Sequence, residues 1–399
     1  MPRSVMPRAM VRKVALVGSY PPRRCGIATF TRDLHDAMAS HLPPRGVVVA
    51  AVDDLPHSDF YPPEVAVRLR ADARRCYRET ARYLNDSGAE VVYLQHEFGI
   101  FGGTDGSYVL HLVGALDVPL VTTLHTIRAS PTGGQRDVVE VLLASSSQVV
   151  VMNPSSVSCL ERLHGARSSR VRLIPHGVPN WPLVDPEDAK AHLGLRDRRL
   201  LLTFGLLSRD KGIEVVLEAL PAVVEKHPDL LYVVLGATHP HVLKWEGEFY
   251  RRSLKRRVDE LRLRQHVAFE NCFVDLRTLR RYLSAADVYV SPHRNPEQTV
   301  SGTLVFALSA GNAVVATPYR CARELITEEL GRLFPFDDSL ALASALLDLL
   351  DDPLLAARMR RAAYERTRAM IWPVVGHRYL ELAERAVQPQ AGSLRTGGL

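Results

Sequence analysis

The sequence predicts an α/β protein with two doubly wound domains, each a parallel sheet covered by helices on both faces. Short apolar runs rich in branched residues alternate with segments of helical periodicity, as strands and crossover helices do in a parallel sheet. A proline-rich break interrupts this alternation once, and the pattern then resumes. At 399 residues the chain is also too long for a single hydrophobic core, so two domains are expected.

The elements before the break belong to the first domain. A helix is predicted over 30–40, shortly after the first apolar run, and the basic stretch 67–82 is also predicted to be helical. Each predicted strand is short and apolar, as in a sheet buried on both faces. These strands are 14–17, 47–52, 91–94, 120–124, 148–152 and 173–175.

The break contains four prolines within 175–186, which is incompatible with either periodicity. The second domain follows it. Its predicted strands are 200–204, 231–235, 267–269, 288–290 and 313–316, and its predicted helices are 213–226, 250–262, 276–285 and 340–350.

Domain boundaries follow from these elements. We predict a first domain over 1–180, a linker over 181–190 and a second domain over 191–368. A further helix is predicted over 369–387. The last segment, 388–399, is rich in Gly and Ser and is predicted to be disordered.

The composition is that of an ordinary globular protein, with 46% apolar and 24% charged residues. No apolar run approaches the roughly 18 residues of a membrane span, and the basic start 1–13 precedes only a short apolar run, so a cytoplasmic location is predicted. The five cysteines are odd in number, scattered, and lack a Cys-x2-Cys pair. Free thiols are therefore predicted, and neither a disulfide framework nor a zinc site.

A net charge of +6 and a pI near 9.1 raise the question of an anionic partner. The basic residues of 67–82 and 251–264 are mixed with acids rather than clustered, so a nucleic-acid partner is not predicted. A peripheral contact with a membrane is the most that this charge indicates. Some of the excess of basic over acidic residues would also suit a protein that binds a diphosphate.

The segment 295–311 is the most informative part of the chain. A carboxylate, Glu297, and the turn Ser301, Gly302 and Thr303 precede an apolar helix that ends at a glycine. The first amides of a helix have no partner within it and lie at the positive end of its dipole, so these three residues are candidates for binding a phosphate. Glu297 would then lie beside the group that the phosphate carries. An ordinary capped helix with a solvated loop acid is the alternative.

The loops that follow strands are the best candidates for ligand binding, since ligands bind parallel sheets at the carboxyl ends of their strands. After 200–204, Arg209 and Lys211 stand at a helix entrance, where the dipole disfavours cations unless an anion is bound. After 14–17, a long turn contains Gly26, where a ligand could approach the backbone closely. Because this turn lacks the Gly-x-Gly-x-x-Gly fingerprint, a nicotinamide dehydrogenase is disfavoured.

Histidines recur at the strand ends of the first domain. His96, followed by Glu97, comes after one strand, His125 after the next, and His176 near the exit of the domain. A single histidine in such a place is often only structural. Three histidines along one predicted edge of the sheet favour a position facing a ligand cleft. The three histidines and Glu97 are therefore candidate cleft residues.

Together these segments resemble the nucleotide-sugar-dependent glycosyltransferases of the GT-B fold, in the retaining group called family four, or glycosyl transferases group 1. The resemblance covers 14–387. It rests on the glycine loop with Gly26 and on five later motifs. These are Ile-Pro-His-Gly-Val at 174–178, Lys-Gly at 211–212, Ala-Asp-Val-Tyr-Val-Ser-Pro at 286–292, Ala-Gly-Asn-Ala-Val-Val-Ala-Thr-Pro at 310–318, and Glu324.

The resemblance implies two Rossmann-like domains facing each other across a cleft, with the helix 369–387 crossing back to the first domain. It also implies site roles. Lys211, aided by Arg209, would neutralise the donor diphosphate together with the amides of 301–303. Glu297 and His125 would contact the donor sugar and reacting centre, and Gly26 would let a loop close over the diphosphate. Neither a metal ion nor a cofactor is implied, because the leaving phosphate takes the proton of the acceptor.

Two positions depart from the family pattern. Members carry two glutamates eight positions apart, the second holding the nucleotide ribose; here Phe306 occupies the second position and Gln298 the first, so that Glu297 matches with a slip of one residue. An aromatic ring cannot accept hydrogen bonds from ribose hydroxyls. Leu206 also stands where the family places an arginine. Donor affinity or donor identity is therefore expected to differ from the usual pattern.

The predicted activity is that of a retaining hexosyltransferase. It would transfer mannose or glucose from a UDP- or GDP-sugar to a hydroxyl of a saccharide or glycolipid. Two alternatives stay open: a GT-B phosphorylase-like enzyme that uses inorganic phosphate, and a relative that binds sugars or nucleotides without catalysis.

Overall fold

The computed structural model of the protein describes residues 11–54, 60–167 and 169–387. The chain divides into two compact units: the first joins the chain up to Gly177 to the segment from Trp372 onward, and the second is Val178–Ile371. The predicted tail, 388–399, lies outside the described residues. In the described part of the chain, no helix is long and apolar enough to cross a bilayer. All five cysteines are free thiols.

The first unit contains a seven-stranded parallel sheet in the order β3-β2-β1-β4-β5-β6-β7. Its strands are β1 (Val14–Gly18), β2 (Val47–Asp53), β3 (Val65–Arg70), β4 (Val91–His96), β5 (Leu120–Leu124), β6 (Gln148–Val151) and β7 (Val171–Leu173). Its helices are α1 (Gly26–Ala39), α2 (Arg74–Asp86), α3 (Val109–Val113), α4 (Gly133–Ser145), α5 (Pro154–His164) and the C-terminal helix (Trp372–Val387).

The second unit contains a six-stranded parallel sheet in the order β10-β9-β8-β11-β12-β13. Its strands are β8 (Arg199–Phe204), β9 (Leu230–Leu235), β10 (Val267–Glu270), β11 (Val288–Ser291), β12 (Ala313–Ala316) and β13 (Gly331–Leu333). Its helices are α6 (Pro186–Ala191), α7 (Ile213–Lys226), α8 (Pro240–Glu246), α9 (Phe249–Glu260), α10 (Leu276–Ala285), α11 (Gly302–Ser309), α12 (Arg320–Leu325), α13 (Ser339–Asp351) and α14 (Pro353–Thr367).

These two sheets confirm the predicted α/β class with two doubly wound parallel sheets. The central strands are buried along their whole length, as in β1, β4 and β11, because helices cover both faces. Strand order reverses between β1 and β4 in the first unit and between β8 and β11 in the second. Ligands of doubly wound sheets bind at such switch points, beyond the carboxyl ends of the strands.

Two local predictions were wrong. The start of the predicted helix 67–82 is the edge strand β3, whose Val67 and Leu69 alternate with the exposed Arg68 and Arg70, and the helix α2 begins only at Arg74. The second error concerns the predicted linker 181–190. It lies within the second unit and contains most of α6, which Asp185 caps by accepting a hydrogen bond from the Glu187 amide at 2.9 Å.

The C-terminal helix packs in the first unit against α1. Gly376 permits this close approach, since a Cβ there would lie 2.7 Å from the Cβ of Ala37. Tyr93 of β4 donates to the Tyr379 carbonyl at 2.5 Å, and the Tyr379 hydroxyl lies 3.1 Å from Thr123 Oγ1 of β5. The helix therefore belongs to the core of the first unit by both packing and hydrogen bonding.

Candidate active-site residues of the two units

Lys211 lies at the switch point of the second sheet. It ends a 3-10 turn, Arg209–Lys211, that follows β8. A Cβ at Gly205 would lie 2.9 Å from Lys211 Nζ and 3.0 Å from Thr303 Cγ2, and the φ of Gly205 is +126°. A glycine at 205 thus allows the lysine ammonium to lie next to the first turn of α11.

The Lys211 ammonium has no counter-ion: no carboxylate of the described residues forms an ion pair with its Nζ. Burial lowers the pKa of Lys211 to about 8, and the nearby Asp210 offsets only part of this effect. A partly desolvated cation without a paired acid favours an anionic ligand, because the anion would replace the lost hydration.

The start of α11 adds a second positive group. The Ser301 hydroxyl caps the helix by accepting from the Leu304 amide at 3.3 Å. Within the described ranges, no acceptor pairs with the amides of Gly302 and Thr303, which stand at the positive end of the helix dipole. The structure therefore brings Lys211 and the predicted turn 301–303 together at one point.

His293 lies near Lys211 as well, and it was not among the residues predicted from the sequence. It follows β11, is only 9% exposed, and packs its ring 5.3 Å from that of Tyr319. Its Nδ1 is buried and has no hydrogen-bond partner in the part of the chain described. Burial and the charge of Lys211 together hold the pKa of His293 well below its usual value. The rule used for His96 and His125, a histidine just past a strand, would have found it.

Glu297 is engaged by a residue of α12. Its carboxylate forms an ion pair with Arg320 and remains half exposed, and its amide donates to Asn295 Oδ1 at 3.0 Å. Next to it, Gln298 Nε2 donates to the Val300 carbonyl at 2.7 Å. The loop before α11 is thereby tied to the start of α12, and a substrate must compete with Arg320 for Glu297.

Arg209 and Phe306 have other partners than the predicted ligand. Arg209 forms an ion pair with Glu246 at 3.0 Å, and its guanidinium lies 5.1 Å from the ring of Tyr250. Phe306 belongs to α11, is 6% exposed, and packs in the core with its ring 6.1 Å from that of Trp181. In the part of the chain that the structure describes, Arg209 thus has a paired acid and Lys211 has none.

In the first unit, His125 follows β5 as a buried neutral group. Its Nε2 donates to Gln95 Oε1 at 3.0 Å, and its ring lies edge-on to Phe30 at 4.7 Å. Burial, with smaller contributions from His176 and His96, lowers the pKa of His125 to about 3. At neutral pH it can therefore donate or accept a hydrogen bond but carries no charge.

The neighbouring histidines are also neutral. His96 is fully buried, stacks on Phe101 at 5.9 Å, and neither of its ring nitrogens has a partner among the described residues. Its pKa is lowered to about 3 by burial. His176 Nδ1 donates to the Gly177 carbonyl at 2.7 Å, and burial lowers its pKa to about 4.

Glu97 and Gly26 complete the predicted residues of the first unit. Glu97 accepts from Thr126 Oγ1 at 2.5 Å, and burial raises the pKa of its carboxyl in spite of this bond. Gly26 begins α1, and a Cβ there would meet nothing within 4 Å. The space beside this helix start is open to a ligand. Across both units, no group of three or more described His, Cys, Asp or Glu side chains is arranged to hold a metal ion.

Known structures share this pair of doubly wound units, which is the GT-B fold. One is Alr3699/HepE from Anabaena in complex with UDP, with a TM-score of 0.73 and 17% identity over 94% of this chain and 100% of that one. Another is sucrose-phosphate synthase from Thermosynechococcus elongatus, with a TM-score of 0.71 and 22% identity over 94% and 99% of the two chains.

Residues 185–366, which lie in the second unit, match the family model described as glycosyl transferases group 1. A phosphatidyl-myo-inositol mannosyltransferase from Mycolicibacterium smegmatis is 32% identical over 53% of this chain and 51% of its own length. A D-inositol 3-phosphate glycosyltransferase from Xylanimonas cellulosilytica is 28% identical over 68% and 67%. The chain thus spans about half the length of the mannosyltransferase.

Proposed function

We propose that the chain is a glycosyltransferase that uses a nucleoside-diphosphate sugar and transfers a hexosyl group, mannose or glucose, to a hydroxyl of a saccharide or glycolipid. The observation that carries the proposal is the Lys211 ammonium, which has no paired carboxylate among the described residues and lies next to the first turn of α11. A diphosphate is the ligand that satisfies both groups.

In the proposed reaction the bond between the sugar C1 and the diphosphate oxygen breaks while the acceptor oxygen attacks C1 on the same face. Configuration is therefore retained, and the acceptor proton passes to an oxygen of the leaving diphosphate. Lys211 and the amides of Gly302 and Thr303 stabilise the negative charge that develops there. These groups take the place of a divalent cation.

The other predicted residues act on the sugar. We assign to His125 a hydrogen bond to the substrate, in keeping with its neutral state. Glu297 would exchange Arg320 for a sugar hydroxyl. His293 Nδ1, buried and unpartnered in the described part of the chain, is assigned to a phosphate oxygen next to Lys211.

The names of relatives and neighbours support the donor class. Alr3699/HepE was crystallised with UDP and with UDP-glucose, and the mycobacterial relatives are called mannosyltransferases. These names favour a UDP- or GDP-linked hexose. The names of two relatives contain an inositol compound, phosphatidyl-myo-inositol in one and D-inositol 3-phosphate in the other.

Calorimetric titration of the protein with UDP, GDP, ADP and inorganic phosphate tests this function. Each titration is run without and then with Mg²⁺. Micromolar binding of one nucleoside diphosphate without metal is expected and would name the base of the donor. Binding of phosphate alone would instead favour the phosphorylase-like alternative, and binding of none would contradict the proposal.

A further inference from the structure

Helices α8 and α9 present aromatic rings and cations to solvent. Trp245 is 70% exposed and Phe249 is 51% exposed, although most large apolar side chains of this unit are buried. Helix α8 has no buried residue at all, so its tryptophan does not hold the fold together. We call this area the α8–α9 surface. It consists of Lys244, Trp245, Phe249, Arg252, Lys255 and Arg256.

The four cations of this surface are not neutralised by acids. No carboxylate among the described residues forms an ion pair with any of them. Lys244 Nζ lies 5.6 Å from the centre of the Trp245 ring, and Arg256 Cζ lies 6.0 Å from that of Phe249. Phe249 and the three cations of α9 also line a shallow concavity of about 330 Å³.

We propose that the α8–α9 surface attaches the protein to an anionic lipid bilayer. Exposed Trp and Phe side chains insert at the level of the lipid headgroups, and Lys and Arg are attracted to the negative surface of the membrane. Both signals occur here on one short stretch of chain. A concavity lined by three cations fits the phosphate of an anionic headgroup.

A bilayer explains the surface better than a protein partner does. Trp245 protrudes from a helix with no buried residue, and Phe249 is exposed at the start of the next helix. Such rings need no shaped pocket in a membrane interface, whereas a protein partner must supply complementary pockets for them. The unneutralised charge has only one sign, which matches a surface of uniform negative charge.

The surface is connected to the turn that carries Lys211. Glu246 of α8 pairs with Arg209 at 3.0 Å, and Tyr250 of α9 packs under the same guanidinium. Arg251, buried between the helix and the sheet, donates from Nη2 to the Gly236 carbonyl at the end of β9 at 2.8 Å. Attachment through α8 and α9 would therefore fix the anion site relative to the membrane plane.

Flotation of the full chain with vesicles tests the inference. The vesicles are phosphatidylcholine alone or phosphatidylcholine mixed with phosphatidylglycerol, and one variant carries Arg252→Glu, Lys255→Glu and Arg256→Glu. Wild type is expected to float with the mixed vesicles only. The triple variant should lose at least on the order of a hundredfold in partitioning, since each basic residue near an anionic surface contributes about fivefold and the introduced carboxylates are repelled. A second variant, Trp245→Ala with Phe249→Ala, should also float less.

The matched control reverses three exposed arginines of the first unit, Arg74, Arg78 and Arg82 of α2, to Glu, and it should float as wild type does. Failure of wild type to float with mixed vesicles overturns the inference. So does loss of flotation in the α2 control with retention in the α9 variant.

Thermal unfolding and the calorimetric affinity for the nucleoside diphosphate are measured on the same variants. Both should remain at wild-type values, because the α8–α9 surface is not part of the anion site. A protein that floats but binds no nucleotide would contradict the proposed function alone. Nucleotide binding without flotation would contradict this inference alone.

Discussion

The side chains at the carboxyl ends of the two sheets differ in charge, although both sheets are doubly wound. In the first unit, burial lowers the pKa values of His96, His125 and His176 to about 3 or 4, so these three histidines are uncharged at neutral pH. In the second unit, Lys211 lies beside the start of α11 with no paired acid among the described residues. Anion binding is therefore expected of the second unit, and the three histidines of the first unit offer uncharged hydrogen-bonding groups.

Removing the unpaired ammonium should have the largest effect. Lys211→Ala is expected to lower turnover by about 100- to 1,000-fold. The variant lacks the preorganised ammonium that stabilises the negative charge developing on the leaving diphosphate. Steady-state kinetics and calorimetry with the nucleoside diphosphate measure the loss. Lys226→Ala, at an exposed lysine of α7, is the matched control and should behave as wild type. Equal behaviour of the two variants would refute the assignment of Lys211.

Glu297 could bind the sugar or tie its loop to α12, and variants of its ion pair with Arg320 separate these two roles. Glu297→Gln should lower turnover by about 100-fold if the carboxylate binds the sugar by a charge-assisted hydrogen bond. Arg320→Gln breaks the same ion pair but keeps the acid, and it should cost far less. Kinetics of both variants decide the question. If both lose activity equally, Glu297 serves only to tie its loop to α12.

His125→Ala should lower turnover about tenfold, the effect of one lost hydrogen bond, while leaving the nucleotide affinity unchanged. His125→Gln should recover part of the rate, because an amide nitrogen can replace Nε2. Kinetics and calorimetry are compared with His192→Ala, which changes an exposed histidine. A fall in nucleotide affinity as large as that of Lys211→Ala would show that the first unit also binds the diphosphate.

The affinity for the nucleoside diphosphate should depend on pH through Lys211. Its lowered pKa of about 8 means that the ammonium is present below pH 8 and is lost above it. The affinity for the nucleoside diphosphate should then fall about tenfold per pH unit above 8, because the neutral Lys211 amine must take up a proton when the anion binds. Calorimetry over this range measures the slope. Lys211→Arg should remove the dependence, since arginine stays protonated, and persistence of the slope would exclude Lys211 as its source.

The smallest effect is expected at Arg209. Its side chain is 53% exposed, and its charge is already paired with that of Glu246. Arg209→Ala should therefore change the nucleotide affinity by less than about threefold. A loss comparable to that of Lys211→Ala, measured by the same titration, would mean that the ligand displaces Glu246.

The buried strands were predictable because each is a continuous apolar run. Among the edge strands, β10 was predicted, whereas β3 and β13 were not. In β3 every second residue is exposed and two of these three residues, Arg68 and Arg70, are basic, so its sequence resembles a polar helix face. Strand β13 has only three residues, Gly331–Leu333, and no periodicity can be read from so short a segment.

The candidate site was partly predictable for a topological reason. Lys211 and the turn 301–303 both follow strands at the switch point, and parallel strands bring such loops to one edge of the sheet. The partners of the charged groups were not predictable. Arg320 is 23 residues from Glu297, Glu246 is 37 from Arg209, and only tertiary packing brings them together.

The most direct test is a crystal structure of the protein with the nucleoside diphosphate that binds it best. The account predicts phosphate oxygens about 3 Å from Lys211 Nζ and from the amides of Gly302 and Thr303. A diphosphate bound at the histidine edge of the first unit, or away from the start of α11, would contradict it.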